Sequence, residues 1–225
     1  MRILAISIAL SSTLLATPAA ARNGAFYVGG EFGAMSVQDI DADIGATNNA
    51  VTIEHEFGYD GGIFGGYDFG RFRLEAEAAY KHANLDSLTT RIRLPLEGPN
   101  FATQREASGN SSALSFMVSG MLDFGDDDGA SFFVGGGAGV ARVKANNYRN
   151  FTNATPFLDG SGDWKLAWQL VAGARHRLSD NIDVTLRYRF FNSSEAELVA
   201  FNGAESTIRF RSHSLLGGIT FNFGH

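Results

Sequence analysis

Nine residues constrain this chain more than any others: Phe72-Arg73-Leu74-Glu75-Ala76-Glu77-Ala78-Ala79-Tyr80. Side chains on a strand alternate between two faces, so Phe72, Leu74, Ala76, Ala78 and Tyr80 share one side. Arg73, Glu75, Glu77 and the following Lys81 share the other. A soluble sheet turns its apolar side to a core and its charges to water. Here the same two-sided pattern recurs in run after run behind an export-type leader. That combination fits a barrel with an apolar outside and a charged inside, set in an outer membrane.

The same period marks eight runs, near residues 25–35, 54–68, 72–82, 113–124, 131–144, 165–178, 182–191 and 208–223. Taking the apolar side as outward places Phe26, Tyr59, Phe116, Val134, Trp168, Leu186 and Phe221 outside. It places Glu31, Asp60, Ser119, Gln169, Arg175, Arg177, Arg187 and Arg189 inside. In the fifth run Gly135, Gly137 and Gly139 occupy the inward side and leave room for long side chains opposite. Connections alternate in length. Short ones fall near 69–71, 125–130 and 179–181, and long ones near 37–53, 83–112, 145–164 and 192–207. Pro95, Pro99 and Pro156 lie in the long ones, where no ladder donor is lost. The expectation is an all-β, eight-stranded antiparallel up-and-down transmembrane β-barrel with three short periplasmic turns and four long extracellular loops.

Residues 1–21 read as a cleaved signal peptide: Met1-Arg2, an apolar stretch from Ile3 to Leu15, then Ala19-Ala20-Ala21, with the barrel domain spanning 22–225. No other stretch has the roughly 20 apolar residues of a spanning helix. There is no cysteine, which excludes disulfides and thiolate metal sites. The net charge of −6 is spread without a basic stripe, which argues against nucleic acid as a partner. The 27 glycines and 19 phenylalanines suit a narrow barrel with aromatic girdles. A soluble eight-stranded lipid carrier would share the alternation but reverse the faces. The apolar-aromatic series Leu215, Ile219, Phe221 and Phe223 near the chain end favours the membrane barrel, and resembles the signal that barrel assembly machinery reads. Gly224 and His225 follow the last aromatic, a departure from its usual form.

Three stretches carry a family resemblance. Tyr59 to Gly70 followed by Phe72 to Glu77 resembles the second hairpin of small outer-membrane barrels: OmpA-type transmembrane domains, opacity-like surface antigens and porin-family proteins. Phe133 to Val143 resembles their fifth strand, and Ser212 to Ile219 their closing strand. The resemblance covers the mature chain and specifies fold more than function. It implies a Gram-negative outer-membrane location, with outer-membrane lipid, lipopolysaccharide and the assembly machinery as partners, and host-surface or phage contacts through the loops. The resemblance is to the barrel without the peptidoglycan-binding domain of full-length OmpA proteins, so wall anchoring is not expected.

The inward charges form the main chemical constellation: Glu31, Arg73, Glu75, Glu77, Lys81, Arg175, Arg177, Arg187 and Arg189. Eight strands enclose an interior that side chains can fill, so these charges are expected to pair as a plug. The alternative is a narrow path for ions or small solutes, with charge rings setting selectivity. Catalytic, cofactor and metal sites are not expected. The glycine run lacks phosphate-loop spacing, and Asp126-Asp127-Asp128 lacks the EF-hand glutamate. His213 is followed two places on by Leu215 rather than the serine of barrel-borne lipid A deacylases, which leaves a lipid-modifying enzyme as a distant alternative. The expected role is therefore structural or surface-interacting, in envelope integrity, adhesion or as a surface antigen.

Overall fold

A computed structural model describes residues 24–44, 47–90, 104–125, 129–150, 158–199 and 205–223. The leader over 1–21, the Asp126–Asp128 run, the three prolines and the loop aromatics Phe151, Phe157 and Phe201 lie outside the described residues. The described residues form thirteen strands: β1 (Ala25–Val37), β2 (Ile40–Ile44), β3 (Thr47–His55), β4 (Gly58–Asp68), β5 (Phe72–Thr90), β6 (Gln104–Gly125), β7 (Ala130–Asn150), β8 (Leu158–Ser161), β9 (Lys165–Arg177), β10 (Ile182–Ser193), β11 (Ala196–Val199), β12 (Glu205–Ile208) and β13 (Arg211–Phe223).

Eight of them close a ring. β1 pairs with β4, β4 with β5, β5 with β6, β6 with β7, β7 with β9, β9 with β10, and β10 with β13. β13 then returns to β1, with Phe26 opposite Phe223 and Val37 opposite Ser212. All pairs are antiparallel, so the fold is an eight-stranded up-and-down barrel without an open edge. The tight turns sit at the end that carries β1's start and β13's finish. In one, Asp68 Oδ1 accepts from the Gly70 N–H at 2.8 Å while Gly70 takes a φ of 103°.

The opposite end departs from expectation. Much of what the sequence pattern suggests as long loops is strand. β5 continues to Thr90, β6 begins at Gln104, β7 reaches Asn150, and β2, β3, β8, β11 and β12 prolong the wall above the ring. The ladders there are irregular. Register shifts fall at Ala42/Ile44, Glu54/His55, Asn84/Ser87, Ser108/Asn110 and Ala145/Tyr148. A bulge adds a residue to one strand of a pair only, and β5 keeps its alternation from Arg73 to Ser87 across the shift at Asn84/Ser87.

The faces sort as the alternation requires. Phe26, Phe32, Ile63, Leu74, Phe116, Val118, Phe132, Leu170, Leu186, Ile219 and Phe223 stand exposed on the outside. Tyr67, Phe69 and Phe72 contact one another at the turn end, and Trp164, Trp168, Tyr59, Tyr80 and Tyr188 stand toward the other end. On β5 the two girdles are marked by Phe72 and Tyr80, roughly 26 Å apart along a strand and about 20 Å after tilt. An apolar belt this continuous is incompatible with water.

Two glycines show where the wall leaves no space. A Cβ at Gly33 would lie well inside van der Waals contact distance of the Leu215 carbonyl oxygen, and one at Gly139 inside that of the Phe116 carbonyl oxygen. Gly65 is different, since a Cβ there would meet nothing closer than 3.7 Å. Gly33→Val is expected to lower stability by about 1–3 kcal/mol through overpacking, while Gly65→Ala stays within about 0.5 kcal/mol. Urea titration of the refolded barrel in micelles separates the two.

Candidate functional site

The interior is built in layers. At its centre, the inward positions of β1, β4, β5 and β10 bring Glu31, Asp60, Glu75, Glu77, Lys81, Arg187 and Arg189 together, all buried. Arg187 forks onto Glu75, with Nη1 donating to Oε1 at 2.9 Å and Nη2 to Oε2 at 3.1 Å. It also lies 3.3 Å from Glu31 and 3.6 Å from Glu77. Arg189 donates through Nη1 to both Asp60 oxygens, at 3.1 and 3.0 Å, and through Nη2 to Glu31 and Glu77. Lys81 Nζ sits 3.5 Å from Asp60. The Tyr27 hydroxyl donates to Glu75 at 3.3 Å. Planar, bidentate pairing lets two arginines engage several carboxylates at once.

Apolar groups close this layer on both sides. Toward the turn end, Met121, Phe133 and Val171 form a buried cluster. The Arg187 guanidinium lies 5.0 Å from the Phe64 ring centre and 5.5 Å from that of Phe133, within cation–π range. Toward the other end, Met35, Ile53, Leu85, Val143, Phe191 and Phe210 are buried, and Lys81 Nζ lies 4.4 Å over the Phe191 ring. A second set of pairs occupies the turn end. Arg73 forks onto Asp123 at 2.7 and 2.9 Å, and Arg175 lies 3.6 Å from Asp68.

Of the nine charges singled out from the sequence, Glu31, Glu75, Glu77, Lys81, Arg187 and Arg189 meet in the central layer. Arg73 and Arg175 belong to the lower pairs. Arg177 joins neither: it sits half-exposed at the rim and donates to Asp180 at 2.6 Å. Asp60, Asp68 and Asp123 supply partners that a list of the most conspicuous charges omits, although their inward phase was readable. Phe191 shares the phase of Arg187 and Arg189, so its place in the lumen was readable too. A small polar chain above the apolar layer was not. His55 Nε2 lies 2.6 Å from Ser111 Oγ, which also bonds the Tyr148 hydroxyl, and these residues meet only through long-range pairing. Burial pulls His55 down from 6.5 to about 4, so it is neutral in the fold. Among the described residues no group of His, Asp and Glu is arranged to hold a metal.

A closed ring, an apolar belt between aromatic girdles and a charged, filled interior together define a small membrane-spanning β-barrel. The chain belongs to the outer membrane protein beta-barrel domain family, whose pattern matches residues 6–223. Its place is accordingly the outer membrane of a Gram-negative bacterium. A provisionally named adhesin of Rickettsia prowazekii is 26% identical over 156 residues, covering 60% of this chain and 65% of that protein. The outer membrane protein PagN of Salmonella typhimurium is 23% identical over 195 residues, covering 73% of each. The fold matches the outer membrane protein OprG of Pseudomonas aeruginosa, with a TM-score of 0.55 at 13% identity, covering 90% of this chain and 97% of that one. It also matches Neisserial surface protein A, with a TM-score of 0.51 at 15% identity, covering 88% and 97%.

Two predictions follow from the interior. Arg189→Ala removes the forked partner of three buried carboxylates, leaving them only the longer contacts to Arg187 and Lys81, and is expected to cost about 3–5 kcal/mol, read as a lowered urea midpoint in micelles; Arg177→Ala should shift it by less than about 1 kcal/mol. His55 is held below its unfolded value, so its contribution is full above pH 6.5 and is lost as pH falls toward 4. The protection factors of the β3 amides, that is, exchange corrected for the intrinsic chemical rate at each pH, should therefore fall between pH 7 and 4.5, and His55→Gln should flatten that dependence.

Proposed function

We propose that this chain is a sealed outer-membrane scaffold whose activity resides in its outer surface, as a surface-interaction protein with an adhesin-like role. The observation that carries this reading is the filled lumen. A layer of multiply paired charges lies between two apolar layers, which leaves the barrel rigid and the outer wall as the part able to meet a partner. The adhesin name borne by the Rickettsia relative supports the same direction, and the name of the Salmonella relative supports the outer-membrane placement. The prolonged strands suit it as well, since they raise the loops above the membrane on a stiff stem. Host-surface molecules and phage are the partners this surface would meet. Lipopolysaccharide would surround its base, and the series Leu215, Ile219, Phe221 and Phe223 would serve the assembly machinery.

The narrow-channel alternative draws no support from the interior, because the charges that would line a path are used by one another. An enzymatic role fares no better. His213 bonds Tyr188 and Gln38 on the outside, at 2.7 and 2.8 Å. Among the described residues, the Ser111–His55 pair sets a serine hydroxyl beside an imidazole. Ser111 is fully buried beneath Tyr148, however, and His55 Nδ1 has no acceptor to orient the ring, so substrate access and geometry are both missing.

Two measurements test the proposal. The refolded barrel, residues 22–225, is expected to be electrically silent in a planar bilayer, and stable openings altered by Glu75→Gln would replace this reading with the channel. Expressed in a non-adherent laboratory strain, the chain is expected to confer attachment to cultured cells. Exchanging residues 91–103 and 151–157 for Gly-Ser linkers should abolish attachment without unfolding the barrel. Attachment equal to that of the empty strain would refute the adhesin-like role.

A further inference from the structure

The ring of eight is closed, but among the described residues the wall above it has a seam. Over that outer stretch β12 pairs with β2, β2 with β3, β3 with β5, β5 with β6, and β6 with β7. β8 pairs with β7 alone, and β11 with β12 alone. Below the seam the β9–β10 ladder runs up to Ala167 opposite Ser193, and the Ser194 N–H still donates to the Leu166 carbonyl at 2.7 Å. Beyond that point come β8, which leads into β9, and β11, which follows β10. They lie side by side, with Cα atoms within 8 Å, yet among the described residues no ladder joins them.

Each flank is tied away from the seam. On one side the Gly162 N–H donates to the Val143 carbonyl at 3.0 Å, and Arg142 Nε donates to the Gly162 carbonyl at 3.2 Å. Trp164 lies against Phe116, with ring centres 5.6 Å apart, so residues 162–164 are held by β6 and β7. On the other side the Ser193 N–H donates to the Phe210 carbonyl at 2.9 Å, and the Phe210 N–H donates to Ser193 Oγ at 3.1 Å. Arg209 pairs with Glu195 at 2.6 Å. Two strand edges are thereby left facing each other. The flanks are also acidic in sequence, with Asp159 and Asp163 on one and Glu195 and Glu197 on the other. Asp163 and Glu195 are exposed. Lys165 and Arg209 stand against them, and Arg209 is already engaged by Glu195.

We propose that this seam takes up an extended basic segment of a partner polypeptide, added as a strand between β8 and β11. A free strand edge captures an extended chain through its backbone groups, and the acids on both flanks select a basic one. Each edge is four residues long, which resists pairing by itself. A segment lying between the two gains backbone bonds on both sides once the edges part to two strand spacings, about 9.6 Å. A second copy of this chain is disfavoured, because it would bring the same acids edge to edge. The inference gives the outer-surface role a class of partner and rests on that reading for its biological sense, while the seam itself is tested without it.

The test uses the refolded full barrel in nanodiscs, with a peptide alternating Lys and Thr as the probe, read by hydrogen exchange and by titration. At saturation the protection of the β8 and β11 amides is expected to rise roughly tenfold while that of β3 stays unchanged. A fully N-methylated copy of the probe, which keeps the charges and loses every backbone donor, should bind at least roughly tenfold more weakly. Asp163→Lys with Glu195→Lys should weaken the unmodified probe by roughly tenfold, with heat-shifted electrophoretic mobility confirming that the variant is folded. Equal binding of the N-methylated copy would overturn the site. So would protection confined to other strands, or a dimer of the barrel that protects the same amides. Attachment to cultured cells is scored separately: attachment without probe capture refutes the seam and leaves the adhesin-like role, and capture without attachment does the reverse.

Discussion

The register of the β1–β13 ladder is the constraint on which the rest of this molecule depends. It closes the ring, and in hydrocarbon a ring is the only sheet that leaves no backbone group unpaired. It also sets the phase of every neighbouring strand. With Glu31 opposite Gly218 and Tyr27 opposite Asn222, Glu31 points into the lumen. A slip of one residue would turn Glu31 toward lipid and Phe32 toward the charges. Membrane and lumen thus penalise the same error from opposite sides, and the alternation in the sequence is the record of that double penalty.

The central charges act on this register. A buried ion-pair cluster is weak evidence for stability, since an apolar filling of similar volume can do as well or better. What the cluster provides is selectivity among arrangements. Arg189 reaches Asp60 on β4, Glu31 on β1 and Glu77 on β5 from its own position on β10. Those carboxylates can be satisfied together only when four strands stand in one register. Apolar side chains would accept several registers, whereas forked hydrogen bonds accept one. The apolar layers above and below strengthen the preference, because they exclude the water that could otherwise solvate a mispaired carboxylate.

How much of this was legible depended on whether a residue's role follows from its phase. Arg187, Glu75 and Lys81 were readable as lumen residues, since period two assigns them a face without any knowledge of neighbours. Phe191 and Asp60 obey the same phase and differ only in drawing less notice: one is an aromatic among arginines, the other an aspartate among glycines. Arg177 shows the limit of the rule. Its phase is inward, yet the strand ends there, and a side chain at a rim turns to the nearest acid, Asp180. The outer extension was largely illegible because β12 is only four residues long, and because on β5 the phase holds while the polarity reverses, with Ala83 and Leu85 buried and Asn84 and Asp86 facing outward. The His55–Ser111–Tyr148 chain joins β3, β6 and β7, and no local pattern links positions that far apart.

The bulges also divide the molecule into parts with different freedom to change. Below them every residue answers to lipid or lumen, and a substitution is judged by face. Above them a register shift in one hairpin is absorbed by its bulge and does not propagate down to the charged layer. β2 and β12 show how light the coupling becomes there, since among the described residues their ladder holds the two pairs Ser206–Ile44 and Thr207–Asp43. Sequence drift in the outer wall can therefore remodel what the surface presents while the interior continues to specify a single barrel. Local backbone irregularity thus separates a wall that can vary from an interior that cannot.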